Sequence, residues 1–162
     1  MIVAEYVTFP NLIPIATLNL KSSGIPDPIQ IMYVWFDPDN KFSNYSPPEY
    51  CSNFSFNIQA SGLVKPNFPI SALSISHKNQ VFFIEDYAKF TAQKNKINLA
   101  TLIEFPQKPG WWQDDDTPLN SKKEPMRFIC QIDIGKIFND DCRMFVFYDK
   151  QDKLVRYIYQ RD

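Results

Sequence analysis

The hydrophobic positions of this 162-residue chain recur mainly with a period of two, which predicts short strands. Residues 15–20 and 54–60 alternate between apolar and polar side chains, as half-buried strands do. Residues 29–36 form an almost unbroken apolar and aromatic run, which predicts a strand buried on both faces. The same criteria predict three C-terminal strands, over residues 126–134, 143–148 and 154–159.

Several weaker segments complete the predicted secondary structure. They are a first strand over 2–8, a turn over 37–40, a hairpin of 70–76 and 81–85 around His77, a helix over 85–95, and a strand over 99–105. Together with the stronger strands, they predict a single α+β domain over residues 1–162. Its sheet is expected to be mainly antiparallel, with at most one or two short helices.

The regular pattern stops between residues 106 and 125, which predicts a long loop. This loop holds two adjacent indoles, an amide and three carboxylates, in the order Trp111, Trp112, Gln113, Asp114, Asp115, Asp116. Loops of this length in a compact domain are usually functional or disordered, and two tryptophans argue against disorder. Adjacent residues of an extended segment point in opposite directions, so one indole is expected in the core and its neighbour at the surface.

The strand after this loop carries two polar residues, Gln131 and Asp133, on one predicted face. Its apolar residues Phe128, Cys130 and Ile132 are expected on the other face. The favoured interpretation is that the two polar side chains hold the loop through hydrogen bonds to its backbone. The alternative is that they line a pocket together with Asp114.

Two parts of the chain resemble each other, residues 12–42 and 126–154. Each contains a strand, a short gap, an aromatic strand and a turn that begins with Asp, at Asp37 and Asp149. This similarity predicts two related strand pairs that arose by duplication. The alternative is that any two strand pairs of an aromatic-rich protein look alike.

The composition excludes several classes of function. Seventeen basic and 18 acidic residues give a formal net charge of -1, and with few arginines this does not indicate a nucleic-acid binder. No apolar run is long enough to span a bilayer, and the N-terminus has no basic leader, so we expect a cytoplasmic protein. The three cysteines include no Cys-x-x-Cys pair and are expected to be reduced and mostly buried. No cofactor or metal is indicated, and the oligomeric state stays open.

Catalytic motifs are also lacking in the sequence. The single histidine, His77, lies in a predicted turn and has no neighbouring nucleophile, so a non-catalytic protein is favoured. Three adjacent loop carboxylates are typical of a solvated loop. A contact to a partner or cation and a catalytic role are the alternatives.

Three segments resemble the YwqG-like family of uncharacterised bacterial proteins. They are the Trp-x-Gln-Asp element within residues 108–114, the Gln-Ile-Asp strand at 128–133 and the aromatic strand at 145–149. The resemblance implies an α+β or mainly β fold. Some relatives lie among toxin-immunity genes, which implies partner binding. This chain lacks the Cys-x-x-Cys that many relatives carry before the Gln-Ile strand, so a zinc site is not carried over, and Thr17 replaces the glutamine of the first half.

These observations favour a non-catalytic binding protein of the immunity or accessory type. Its contact surface would be the Trp111–Asp116 loop, and an acidic, aromatic loop suits a basic protein partner. The alternative is a small-molecule-binding protein or hydrolase-like enzyme with a carboxylate-lined pocket.

Overall fold

The alternating segments pair into antiparallel sheets in a computed structural model that describes residues 11–37, 39 and 51–161. Within these residues, six strands form one sheet in the order β4-β3-β8-β7-β6-β5, while β1 and β2 form a separate two-stranded sheet. The strands are β1 (Leu12–Leu18), β2 (Ile29–Val34), β3 (Cys51–Ile58), β4 (Val64–Pro66), β5 (Ile103–Glu104), β6 (Arg127–Asp133), β7 (Cys142–Asp149) and β8 (Leu154–Arg161). The helices are α1 (Gln80–Gln93) and α2 (Leu99–Leu102), with short 3-10 turns at Lys21–Ser23, Ile70–Leu73, His77–Asn79 and Ile134–Lys136. The predicted α+β, mainly antiparallel fold is confirmed.

The β1-β2 pair covers one face of the larger sheet, and the main core lies between them. Every residue of β2 is buried, which confirms the strand predicted from its unbroken apolar run. Two tyrosines of β8 bond to the backbone of β2: the Tyr157 hydroxyl donates to the Gln30 carbonyl, and the Tyr159 hydroxyl accepts from the Val34 N–H at 3.1 Å. These bonds satisfy polar groups that burial would otherwise leave unpaired.

The helix α1 packs against the end of β2 through one of its faces. The Trp35 indole N–H donates to Asp86 at 2.8 Å, and the Trp35 and Phe83 rings meet at 5.4 Å between centroids. Four large apolar residues of α1 are exposed, here called the exposed apolar face of α1: Val81, Phe82, Ile84 and Tyr87, with exposed fractions between 45% and 63%.

Two of the weaker predictions are wrong. Residues 70–76 and 81–85 do not form a hairpin, because residues 70–73 and 77–79 form 3-10 turns and 81–85 lie in α1. Four consecutive apolar residues fit a buried strand or a helix equally well, so their pattern could not distinguish the two. Residues 99–105 are mostly the short helix α2, where the Asn98 side chain accepts a hydrogen bond from the Ala100 N–H at 3.0 Å. Only the following two residues belong to a strand.

Other segments agree with the sequence patterns or extend them. The strands predicted over 54–60, 126–134, 143–148 and 154–159 are confirmed with small shifts at their ends. The segment predicted over 15–20 is a strand that begins three residues earlier, at Leu12. The strand predicted over 2–8 lies outside the described residues.

Asp37 is the described start of the predicted 37–40 turn, of which residues 38 and 40 lie outside the described residues. Its carboxylate is 2% exposed and accepts from the Asp39 N–H at 2.9 Å, from the Ser76 N–H at 2.6 Å and from the Asn79 side chain. Burial alone would raise the pKa of Asp37, but these hydrogen bonds outweigh it and lower the pKa. The carboxylate thereby connects the end of β2 to the start of α1.

A β-bulge in β6 corrects the predicted face of one residue. The pairing register shifts between Phe128 and Cys130, so Phe128 packs on Phe147, on the face opposite Cys130 and Ile132. A strict period of two cannot foresee such an insertion.

The two strand pairs of the proposed duplication differ in register. β1-β2 also shifts register, between Pro14 and Ala16, which is the position aligned with the bulge of β6. However, Ala16 pairs with Ile31, whereas the aligned Cys130 pairs with Val146 and not with Arg143. The duplication stays a prediction.

Cys130 and Cys142 are buried free thiols, and burial raises the pKa of Cys130 to about 12.

In the part of the chain that the structure describes, no helix is long and apolar enough to cross a membrane.

Candidate functional site

The long loop predicted between residues 106 and 125, here called the Trp loop, lies on the second face of the six-stranded sheet. Trp111 is half-buried there, with its ring 4.3 Å from the Phe145 ring and 5.9 Å from the Phe147 ring, measured between centroids. Met126 and Ile158 also belong to this smaller apolar cluster. The aromatic strand β7 therefore gives the loop an apolar base.

A fully buried glutamine of β8, Gln160, fixes the backbone of the loop. Its side-chain oxygen accepts from the Trp112 N–H at 2.9 Å and from the Gln113 N–H at 3.2 Å. Its amide nitrogen donates to the Asp114 carbonyl at 2.9 Å and to the Asp116 carboxylate at 2.8 Å. One side chain thus satisfies donors and acceptors in a segment without regular secondary structure.

A second glutamine, Gln131 of β6, holds the loop at Gly110, two residues before Trp112. It is 6% exposed, accepts from the Gly110 N–H at 2.8 Å and donates to Glu104 of β5 at 2.7 Å. Arg143 donates to the Gly110 carbonyl at 3.3 Å. A Cβ atom at position 110 would lie 3.3 Å from the Gln131 oxygen and 3.4 Å from Arg143, so glycine suits this close approach.

The tip of the loop, residues 112–116, carries an exposed indole. Trp112 is 38% exposed, and the Arg143 guanidinium lies 4.9 Å from the centroid of its ring, within the range of a cation–π contact. Trp111 and Trp112 thus divide as the sequence predicts, one toward the sheet and one toward solvent. The packing of Arg143 limits the orientations available to the exposed ring.

The three carboxylates of the tip differ in their surroundings. Asp115 is exposed and accepts from the Thr117 N–H at 2.9 Å and the Thr117 hydroxyl at 2.6 Å, and these bonds lower the pKa of Asp115. Asp116 is half-buried and bonded to Gln160. Among the described residues, the exposed Asp114 carboxylate accepts no hydrogen bond from another side chain or from the backbone. Asp114 is therefore the carboxylate most available to a partner.

The structure brings together most of the predicted site residues but separates one. Gln113 joins the site by donating to the Arg161 carbonyl at 2.7 Å, and Gln131 holds Gly110 as described. Asp133 instead forms an ion pair with Lys136 at 3.6 Å. It makes no described hydrogen bond to the Trp loop. The favoured role of the two polar residues of β6 is therefore observed for Gln131 and not for Asp133.

Sequence reasoning missed Gln160, Arg143 and Glu104, which support the loop from three different strands. Gln160 carried a weak signal, since it is a polar residue directly after the apolar and aromatic end of the last predicted strand. Nothing local in the sequence indicates that these strands belong to one sheet.

Two clefts of about 180 Å³ are lined by residues outside the Trp loop. One is lined by Tyr33, Trp35, Phe36, Asp86, Asp140 and Arg161, and the other by Ile97, Asn98, Thr101, Leu102, Lys136 and Ile137. Neither contains the set of Gln131, Asp133 and Asp114 that the enzyme alternative required.

The segments that carry the YwqG-like resemblance meet in this site, since Gly110 of the first bonds to Gln131 of the second. Membership of that family stays a prediction. Comparisons of this chain with protein-family models, with curated proteins and with solved structures give no match.

Proposed function

We propose that this protein is a non-catalytic binding protein of the immunity or accessory type, which contacts a basic protein partner through the tip of the Trp loop. One observation carries the proposal. Gln160 is buried and bonds to the backbone at Trp112 and at Asp114, while Trp112 and Asp114 are both exposed.

A loop fixed in this way loses little conformational entropy when it binds. Ordering side chains and loops at an interface costs free energy, and a preorganised surface avoids part of that cost. The Trp112 and Gln113 N–H groups already have a partner in Gln160, so binding does not require the backbone to rearrange. Tryptophan is also among the residues most enriched at binding hot spots.

The charges around the tip favour a basic partner. Asp114 and Asp115 are exposed next to Trp112, and Glu104 adds a third exposed carboxylate beneath Gly110. Two cations adjoin these carboxylates: Lys108 is exposed two positions before Gly110, and Arg143 is engaged with the Trp112 ring and the Gly110 carbonyl. The net negative charge would accelerate the encounter with a basic surface, and salt would weaken this effect.

The test is an affinity capture from lysate that compares wild type with two single variants. Trp112→Ala removes the exposed indole, and the control Ile84→Glu disrupts the exposed apolar face of α1, which is the competing surface. Both positions are exposed, so both variants should fold, as a thermal melt would verify. We expect a basic protein to be captured by wild type and by Ile84→Glu but at least tenfold less by Trp112→Ala.

Two results would contradict this proposal. If Trp112→Ala captures the same proteins as wild type in the same amounts, the tip is not the contact surface. If only Ile84→Glu loses the partner, the apolar face of α1 is the contact surface. A captured protein whose binding does not weaken with added salt would argue against the electrostatic part of the proposal.

A further inference from the structure

The first of the two clefts lies where β2, α1 and β8 meet. No residue of the Trp loop lines it, although the carbonyl of its Arg161 accepts from Gln113 of that loop. Trp35 and Phe36 directly follow β2, Asp86 comes from α1, and Arg161 is the last residue of β8. Tyr33 and Asp140 complete its lining, so three aromatic rings surround two carboxylates and one guanidinium.

The guanidinium in the cleft is neutralised by one of the two carboxylates. Arg161 donates to both oxygens of Asp140, from Nε at 3.1 Å and from Nη2 at 3.0 Å, and the Tyr33 hydroxyl donates to the same carboxylate at 2.9 Å. A bidentate arginine–carboxylate ion pair of this kind is geometrically specific, and its net charge is zero.

The other carboxylate, Asp86, is buried with neutral donors alone. It is 7% exposed, accepting from the Trp35 indole N–H at 2.8 Å and from the Asn139 backbone N–H at 3.0 Å. Across residues 11–37, 39 and 51–161, no Lys or Arg nitrogen forms an ion pair with it. Lys89, one turn later on α1, donates instead to the Phe138 carbonyl at 2.8 Å.

A buried carboxylate normally has a cationic partner, because removing the charge from water costs several kcal/mol. With Asp140 and Arg161 balanced, Asp86 gives the cleft lining a net charge of one negative unit. The aromatic wall already accepts a cation, since the Arg161 guanidinium lies 4.8 Å from the centroid of the Phe36 ring.

We propose that this cleft binds a small organic cation, an alkylammonium or alkylguanidinium group, with Asp86 as its counter-ion and the aromatic rings around its alkyl part. The volume of about 180 Å³ is below that of sites for drug-sized ligands, so the ligand is a short chain with one charged head. A free amine and a Lys or Arg side chain of a protein share this chemistry. The proposal is independent of the function proposed for the Trp loop.

The experiment follows the indole N–H resonance of Trp35, because that proton bonds directly to Asp86. Uniformly ¹⁵N-labelled protein is titrated with n-butylammonium, with methylguanidinium and with the neutral analogue n-butanol, each up to about 20 mM. Single Trp→Phe variants assign the three indole signals. We expect a saturable shift of the Trp35 signal with at least one of the two cations and none with n-butanol.

Two variants at neighbouring positions of α1 provide the matched comparison. Asp86→Asn removes the buried charge, and Glu85→Gln removes an exposed charge from the preceding position. We expect the affinity for the cation to fall at least tenfold in Asp86→Asn and to change less than twofold in Glu85→Gln. If Asp86→Asn does not fold, the comparison of each cation with n-butanol on wild-type protein decides the question.

A lysine tripeptide with blocked ends distinguishes the two sources of the cation. Binding as tight as that of n-butylammonium supports a protein side chain, and binding at least tenfold weaker supports a free amine. The proposal is overturned if neither simple cation gives a saturable shift. It is equally overturned if n-butanol shifts the Trp35 signal as much, or if folded Asp86→Asn binds as tightly as wild type.

Discussion

Replacing Gln160 by methionine tests how the Trp loop is held. Methionine keeps the length and approximate shape of the side chain, but it removes the amide group that makes four hydrogen bonds to the loop. Each such bond contributes about 1 kcal/mol net, and water can replace part of the loss because the tip of the loop is exposed. We therefore expect a loss of about 2 to 3 kcal/mol in the stability of the folded loop.

Two measurements detect this loss. If the loop unfolds together with the sheet, thermal unfolding should shift down by about 4 to 12 °C, given the usual entropy of unfolding for a chain of this size. If the loop opens by itself, amide hydrogen exchange reports the change. Exchange at Trp112 and Gln113 should then accelerate by roughly 30- to 140-fold, since about 1.4 kcal/mol corresponds to a factor of ten.

Gln113→Met is the matched control, because it is the same substitution at an exposed residue of the same loop. Gln113 makes one side-chain hydrogen bond in the described structure, to the Arg161 carbonyl, so we expect a change below about 0.5 kcal/mol. The reasoning is refuted if Gln160→Met melts within error of this control and amide exchange in the loop is unchanged.

Three further predictions concern the rest of the fold. Trp111→Ala should cost about 2 to 3 kcal/mol in urea unfolding, because its ring packs on Phe145, whereas exposed Trp112→Ala should cost less than about 1 kcal/mol. The hydrogen bonds to Asp37 keep its pKa below the unfolded value, so its contribution is present above about pH 4 and is lost as the pH falls through the lowered pKa. Asp37→Asn should accordingly flatten the acid side of the stability profile, as measured by urea midpoints at several pH values. Cys130 and Cys142 are buried with raised thiol pKa values, so in a Cys51→Ser variant a chromogenic disulfide reagent should titrate two thiols in urea and none in the native state, and two thiols titrated in the native state would contradict their burial.

The strands with continuous or alternating apolar residues were predictable because the buried positions of a strand are occupied by apolar side chains. β2 is buried along its whole length, and its six residues are apolar or aromatic except for Gln30. In β3, Phe54, Phe56 and Ile58 are buried while the residues between them are partly exposed, which is the alternation of a half-buried strand.

The errors arose where a local pattern is ambiguous. Residues 81–84 are all apolar, but three of them are exposed on α1. Exposed apolar side chains break the link between hydrophobicity and burial on which the strand prediction relied. Phe128 lies on the opposite face from that expected because a bulge inserts one residue before Cys130.

The candidate site was predictable in its loop and not in its support. Two tryptophans and an acidic run indicated where the loop lies, and their division into a packed and an exposed indole followed from chain geometry. Gln160 lies 47 positions away from Gln113 in the chain, and only the pairing of β7 with β8 brings it under the loop. Such long-range partners follow from sheet topology and carry no local signature.

The most direct test of the proposed function is photocrosslinking from the tip of the Trp loop. Benzoylphenylalanine is introduced at Trp112, and in a separate control at Ile84 on the exposed face of α1, and each protein is irradiated in lysate. We expect a covalent adduct with a basic protein from position 112 that is absent from position 84 and weakened by salt. No adduct from position 112, or the same adducts from both positions, would contradict it.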